Sequence, residues 1–221
     1  MKLLIAFPCY NEAEKIQSVL ASIPATFAGV EERRLLVVDD GSADNTAALA
    51  LASGAMVVRH KCNKGLGQAF RTAVDYALDH GFDLMVNMDG DGQFDPQDIQ
   101  RLIDPILREQ ADFVTGSRFR DGWNIEHMPA IKRWGNRRMN HLVSRLCRQT
   151  FSDVSCGFRA YSRETLLNIN FYGRFTYTQE SFVCFHFQNL AMAEEPIAVR
   201  YFPGRKSRVA GSIWNYFKRT A

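Results

Sequence analysis

The chain has 221 residues, 46% hydrophobic and 23% charged, enough apolar material for a sizeable core and close to ordinary globular composition. Twenty-seven Lys and Arg against 24 Asp and Glu leave a net charge of +3, too small to mark a nucleic-acid-binding protein. The opening apolar run stops at Pro8, short of a signal peptide, and no stretch approaches the ~20 apolar residues of a membrane span.

Short apolar runs alternate with amphipathic stretches. KLLIAF precedes helix-like EAEKIQSVLASI, and RLLVV precedes a helix after Asp44-Asn45-Thr46. AMVVRH leads into a long helix over 65–80, FDLMVNM into PQDIQRLIDPILREQ with Pro96 inside its first turn, and DFVTGS ends the series. This βαβ rhythm predicts an α/β protein, a mainly parallel sheet with helices on both faces. Past residue 117, SRFRDGWNIEHMP has no period and reads as a loop over the sheet's mouth. A basic helix (AIKRWGNRRMNHLVSRLCRQ), a strand (CGFRAYS), a helix (YTQESFVCFHFQNLA) and a late strand (EPIAVRYF) follow. With no repeat or linker, residues 1–221 read as one domain, and 209–221 as a C-terminal helix that either lies in a membrane interface or packs on the domain. The five cysteines (9, 62, 147, 156, 184) form no CxxC pair or Cys/His cluster, the pattern of reduced thiols in the cytoplasm, and the histidines show no ligand spacing.

Ligands of parallel α/β sheets gather beyond the carboxyl ends of the strands. Here those tips read Pro8-Cys9-Tyr10-Asn11-Glu12, Asp39-Asp40-Gly41-Ser42, Asp89-Gly90-Asp91-Gly92-Gln93 and Gly116-Ser117-Arg118. Asp89 and Asp91, two apart in extended backbone, point to one side, and like charges that close call for a cation. Mg²⁺ or Mn²⁺ would take their oxygens together with those of a diphosphate, Gln93 offering a further carbonyl. Two other readings stand beside this one. The stretch can be an Asp/Gly turn, or an EF-hand loop from Asn87, although that loop would end in Asp98 instead of Glu and enclose Pro96. Asp39 and Asp40 suit a base ring N–H or a ribose hydroxyl, the alternative being a helix cap by Asp44 or Ser42 with the other Asp in water. Neither a dinucleotide fingerprint nor a P-loop is present.

Taken together, PCYNE, VVDDGSADNT, NKGLGQAFRTA, MDGDGQ, the GSR after the fifth strand and FSDVSCGFRAYS resemble the family 2 glycosyltransferases, above all the polyprenyl-phosphate type. The resemblance implies a Rossmann-like GT-A fold, a UDP- or GDP-hexose donor, a divalent metal (Mg²⁺ or Mn²⁺) and inversion at the anomeric carbon. It implies that Pro8, Tyr10, Glu12 and Asp40 contact the nucleoside, with Asp39 beside them and Lys64 on the donor side. Asp89 and Asp91 match the metal-binding DxD motif, Gln93 the third metal-side position, and Arg118 a phosphate-facing arginine. Asp153 and Arg159 match an acceptor-side pattern, and Arg205 and Lys206 a segment that closes the site. Glu180 stands where hydroxyl-directed relatives carry an acidic pair, so Glu180 or Asp153 would be the base for a hydroxyl acceptor.

An acceptor that is a polyprenyl (dolichyl or undecaprenyl) phosphate is already ionised and needs cations instead of a base. Lys132, Arg133, Arg137 and Arg138 on the basic helix, and Arg200, Arg205, Lys206 and Arg208 after the last strand, would supply them. The expected partners are therefore a nucleotide-diphosphate sugar, a lipid phosphate and a membrane surface or separate membrane anchor, with the chain on the cytoplasmic face and no nucleic acid bound. The rival readings are transfer to a sugar or lipid hydroxyl and a metal-binding module without catalysis.

Overall fold

The computed structural model describes residues 1–120, 130–169 and 177–200. In chain order these form β1 (Lys2–Cys9), α1 (Ile16–Ser22), β2 (Glu32–Asp39), α2 (Thr46–Ala52), β3 (Met56–Arg59), α3 (Leu66–Asp79) and β4 (Leu84–Asn87). There follow α4 (Asp98–Leu107), β5 (Phe113–Ser117), α5 (Ala130–Cys147), β6 (Arg159–Ser162), α6 (Arg163–Leu167), α7 (Thr178–Phe187) and β7 (Met192–Pro196). Among the described residues no helix is long and apolar enough to cross a membrane.

The sheet order is β3-β2-β1-β4-β6-β5-β7. Central strands are apolar on both faces because helices cover both. Leu3, Ile5 and Phe7 of β1 pack with α1, α2 and α4, while Leu4 and Ala6 pack with α3, α5, α6 and α7 on the opposite face. α3 meets the sheet through Ala69, Phe70, Ala73, Val74 and Ala77, a helical period with small residues where backbone approaches backbone.

β6 departs from the parallel series. It runs antiparallel between β4 and β5, pairing Asn87 with Arg159 on one side and Thr115 with Arg159 on the other. Its first residue therefore lies at the same rim as the last residues of its neighbours, and the loop before it joins that rim.

Several boundaries differ from the sequence reading, three of them with a visible local cause. The first helix starts at Ile16 instead of Glu12, because residues 12–15 form a turn in which Lys15 N–H donates to the Glu12 carbonyl. Pro96 precedes the fourth helix instead of entering it, in a turn closed by Asp98 N–H on the Asp95 carbonyl. The last strand is MAEEP instead of EPIAVRYF. It pairs with β5 alone, at the edge of the sheet, and every residue in it is half-buried, so burial imposes no apolar run to read.

Candidate active site

The acidic strand tips converge on Cys9, the buried last residue of β1. Its thiol is pushed well above the usual range by burial and by the carboxylates of Glu12, Asp89, Asp39 and Asp91. Close approach is possible because Gly90 is bare: a Cβ there would lie 2.5 Å from the Cys9 sulfur. Asp91, 7% exposed, accepts the Gln93 N–H at 2.9 Å, which fixes the turn after β4. The Asp89 carboxylate lies over Gly157, where a Cβ would come within 3.4 Å and 3.5 Å of its two oxygens.

These residues fit a hard divalent cation. They offer two oxygen ligands backed by further negative charge, and among the described residues no cluster of three or more ligating side chains exists to enclose an ion fully. A site of one or two carboxylates whose remaining positions go to water and phosphate oxygens suits Mg²⁺ or Mn²⁺. The Gln93 backbone carbonyl already accepts the Arg200 N–H at 2.8 Å, so its side-chain amide is the oxygen left to offer.

The two carboxylates at the end of β2 divide their tasks. Asp40 accepts His60 Nδ1–H at 2.7 Å and the Lys64 and Gly65 N–H groups at 2.8 Å each. It is 4% exposed, and both oxygens hold the turn before α3, which gives Asp40 a structural role. His60, given no part in the sequence reading, completes that brace through Nε2, 2.9 Å from Thr72 Oγ1.

Asp39 is equally buried, and its Oδ1 accepts the Ser42 N–H at 3.0 Å. Arg59 Nε stands 3.0 Å from Oδ2, but off the line of a hydrogen bond, so charge is balanced while this buried oxygen keeps an open acceptor site. Around it Asn11 takes a left-handed φ of 53°, its N–H donating to Ser42 Oγ at 2.9 Å, and Glu12 N–H donates to Thr46 Oγ1 at 2.9 Å. Pro8 is half-buried at the end of β1, Tyr10 is 38% exposed, and the Lys64 side chain is in solvent.

At the end of β5, Arg118 is clamped by Asp153. Nε and Nη2 donate to Oδ2 and Oδ1 at 2.6 Å and 2.8 Å, and the Arg118 N–H adds a third bond at 3.1 Å. Asp153 is fully buried and spent on this pair, which removes it as an accessible base. Glu194 of β7 holds the clamp, accepting the Ser152 and Asp153 N–H groups at 3.0 Å and 2.8 Å.

Arg159 also departs from expectation. The matched acceptor-side residue is 0% exposed and cannot meet an acceptor. Its guanidinium donates to the Cys156, Val154 and Thr178 carbonyls and to Ser181 Oγ, among the rings of Phe113, Tyr177 and Phe182. Asn87 works beside it: its amide donates at 2.9 Å to both the Gly157 carbonyl and the Tyr177 hydroxyl. The first turn of α7, which carries Glu180, is thereby tied to the loop touching Asp89. Asn87, Tyr177 and Glu194 were missed in the sequence, and the one signal among them is a polar Asn closing an apolar strand.

Of the remaining expected residues, Arg133 is exposed on α5, and Arg200 is exposed with its guanidinium 3.5 Å from Asp95. Arg205, Lys206 and the 209–221 segment lie outside the described residues.

Residues 4–169 match the family described as Glycosyl transferase family 2. The polyprenol monophosphomannose synthase of Mycolicibacterium smegmatis is 34% identical over 76% of this chain and 64% of its own length. The undecaprenyl-phosphate mannosyltransferase of Micrococcus luteus is 32% identical over 77% of this chain and 70% of its own. Among solved structures, glucosyl-3-phosphoglycerate synthase from Mycobacterium tuberculosis, in complex with Mn²⁺, UDP-glucose and phosphoglyceric acid, aligns with a TM-score of 0.67 at 25% identity, covering 91% of this chain and 72% of that one.

Proposed function

The chain belongs to glycosyl transferase family 2, with the GT-A fold, and from that premise we propose that this glycosyltransferase moves a hexose from a UDP- or GDP-sugar to a polyprenyl phosphate, inverting the anomeric centre. The observation that carries the reading is the gathering of Asp39, Asp89 and Asp91 around one strand end, with Arg118 clamped by Asp153 at the end of β5.

In this reading Asp39 Oδ2 accepts a ring N–H of the base, the partner its burial otherwise denies it. Asp89 and Asp91, with Gln93 beside them, would hold Mg²⁺ or Mn²⁺, which when bound neutralises the donor's diphosphate as a Lewis acid. Arg118 would serve the same leaving phosphate. Its bidentate bond to Asp153 fixes the fork in advance, so little reorganisation is needed as negative charge develops. The acceptor phosphate, already ionised, needs positioning by cations, for which Arg133, Arg200, Arg205 and Lys206 are the proposed set. The relatives named for polyprenyl phosphates support this acceptor class, and a lipid acceptor would call for a peripheral place at the cytoplasmic membrane face.

One observation favours a second reading, transfer to a hydroxyl. Glu180 lies half-buried in the first turn of α7, next to the Tyr177 that Asn87 anchors beside Asp89, and the solved neighbour binds phosphoglyceric acid. Acceptor competition separates the two. Incubation with Mn²⁺ and labelled UDP- or GDP-hexose should label undecaprenyl or dolichyl phosphate and should stop with chelator. Labelling of a hydroxyl acceptor alone would transfer the assignment to the second reading, and turnover indifferent to chelator would overturn the metal-dependent mechanism.

A further inference from the structure

The mechanism above uses only Arg133 from the outward side of α5, yet that side combines exposed apolar and basic side chains in a regular pattern. Two adjacent rows run along it at four-residue spacing, the spacing that stacks side chains on one helical face. The first is Trp134, Arg138, Leu142 and Leu146, whose three apolar members are 54%, 52% and 49% exposed. The Arg138 guanidinium lies over the Trp134 ring, 5.1 Å from its centroid. The second row is Arg133, Arg137, His141 and Arg145, all exposed. A groove of about 740 Å³ follows this second row, with Phe119 and Ser152 on its far side. Residues 130–147 contain no Asp or Glu.

We propose that this face of α5 docks on the surface of an anionic lipid bilayer, the apolar row entering the headgroup boundary and the basic groove receiving lipid phosphates. A solvated helix would explain the arginines but not a Trp and two Leu held out of the core beside them. An acidic protein groove would meet the charge but would leave the aromatic-aliphatic row to find its own pocket. A bilayer interface matches both: indole and leucine suit the acyl boundary, arginine stems extend along it with their heads in the phosphate layer, and anionic lipid supplies the missing negative charge.

Docking there has a use, because the inner side of the same helix reaches the site. Asn140 accepts the Val154 N–H at 3.1 Å and donates to the Ser152 carbonyl, and Asn136 accepts from Ser155 Oγ at 3.3 Å. Ser155 and Asp153 in turn hold Arg118. A helix lying on the bilayer thus brings the clamp to the plane where a lipid phosphate is presented, so the inference deepens the lipid-acceptor reading, while docking itself does not depend on which acceptor is used.

The test is co-sedimentation of the full chain with phosphatidylcholine vesicles, with and without phosphatidylglycerol and free of polyprenyl phosphate. Anionic vesicles should take up at least about tenfold more protein than neutral ones, with the preference weakened by added salt. Trp134→Ser with Leu142→Ser should lower uptake by a similar factor, and Arg138→Glu with Arg145→Glu should abolish the preference for anionic lipid. All variants should retain the wild-type melting temperature and Mn²⁺-dependent UDP or GDP binding. Failure of that nucleotide binding in the wild type would sink the transferase mechanism and leave the docking result standing. Equal uptake by neutral and anionic vesicles, or variants that bind as the wild type does, would overturn the proposal. So would a wild-type dimer that the Trp134/Leu142 variant dissolves without any vesicle uptake, since the face would then belong to a second copy.

Discussion

Arg159 Nη2 donates to the Thr178 carbonyl at 2.8 Å, joining the first residue of β6 to the first residue of α7 in a site closed to water. The same guanidinium holds the Cys156 and Val154 carbonyls, so one side chain fixes both the loop beneath Asp89 and the turn that carries Glu180. Among the described residues its hydrogen-bond partners are neutral acceptors, set between aromatic rings.

Arg159→Met should therefore be costly. It strands the Cys156 and Val154 carbonyls, while the Thr178 carbonyl keeps the Ser181 hydroxyl, and at about 1–3 kcal/mol for each unsatisfied buried group the expected loss is at least ~2 kcal/mol in urea unfolding. Arg159→Lys should recover part of it, since the charge remains but the fork does not. A Met variant with wild-type stability would refute the bracing role.

The two carboxylates of β2 should respond differently. Asp40→Ala removes three charge-assisted bonds and should lower stability by about 2–4 kcal/mol. Asp39→Asn keeps a carbonyl-type acceptor but changes its charge and donor pattern, and it should weaken UDP or GDP binding roughly tenfold. Calorimetry and chemical unfolding on both variants check the split. Equal losses in both measurements would contradict it.

Asp89→Asn and Asp91→Asn should each lower kcat by about 10²–10³, the usual size of a lost electrostatic contact to the transition state. Without metal the same variants should melt at or above the wild-type temperature, because each removes one of several like charges crowded at Cys9. The rise in melting temperature on adding Mn²⁺ with nucleotide should disappear. Thermal shift with and without the metal reads both effects.

Gly90→Ala should collide with the Cys9 sulfur. Pairing it with Cys9→Ala removes the obstacle, so the double variant should be more stable than the sum of the single losses predicts. A coupling of about 1 kcal/mol or more in a double-mutant cycle is expected, and additivity would show that the turn shifts instead.

Alkaline stability should fall early. Burial pushes the Cys156 thiol from 9.0 up to about 12. The unfolded thiol ionises first, so between these values the folded chain holds more protons than the unfolded one. The stabilisation is complete below about pH 9, declines from there, and is gone above about pH 12. Cys156→Ala should flatten this part of the pH profile of unfolding, and an unchanged slope would assign the decline to other groups.

The strand tips were legible in the sequence because apolar runs and polar ends follow directly from a sheet covered on both faces. Asp89 and Asp91 could be placed at one tip there, since neighbours in sequence are also neighbours in space. Asp40 and Arg159 could not. Their partners His60, Lys64, Thr178 and Ser181 come from turns distant along the chain, and only tertiary packing decides which of two adjacent carboxylates is consumed and which arginine is enclosed. β7 was read out of frame for a related reason, as an edge strand with Glu194 facing a loop carries no apolar signature.

The reversed strand has a consequence for biosynthesis. β4 and β5 acquire their shared neighbour only when residues 159–162 leave the ribosome. Until then the half of the sheet bearing Asp39, Asp89 and Asp91 can assemble around β1 with one flank exposed, while β5 waits without a partner on that side. Nascent chains halted before residue 159 should accordingly be the aggregation-prone ones, and those extended past residue 162 should be protected.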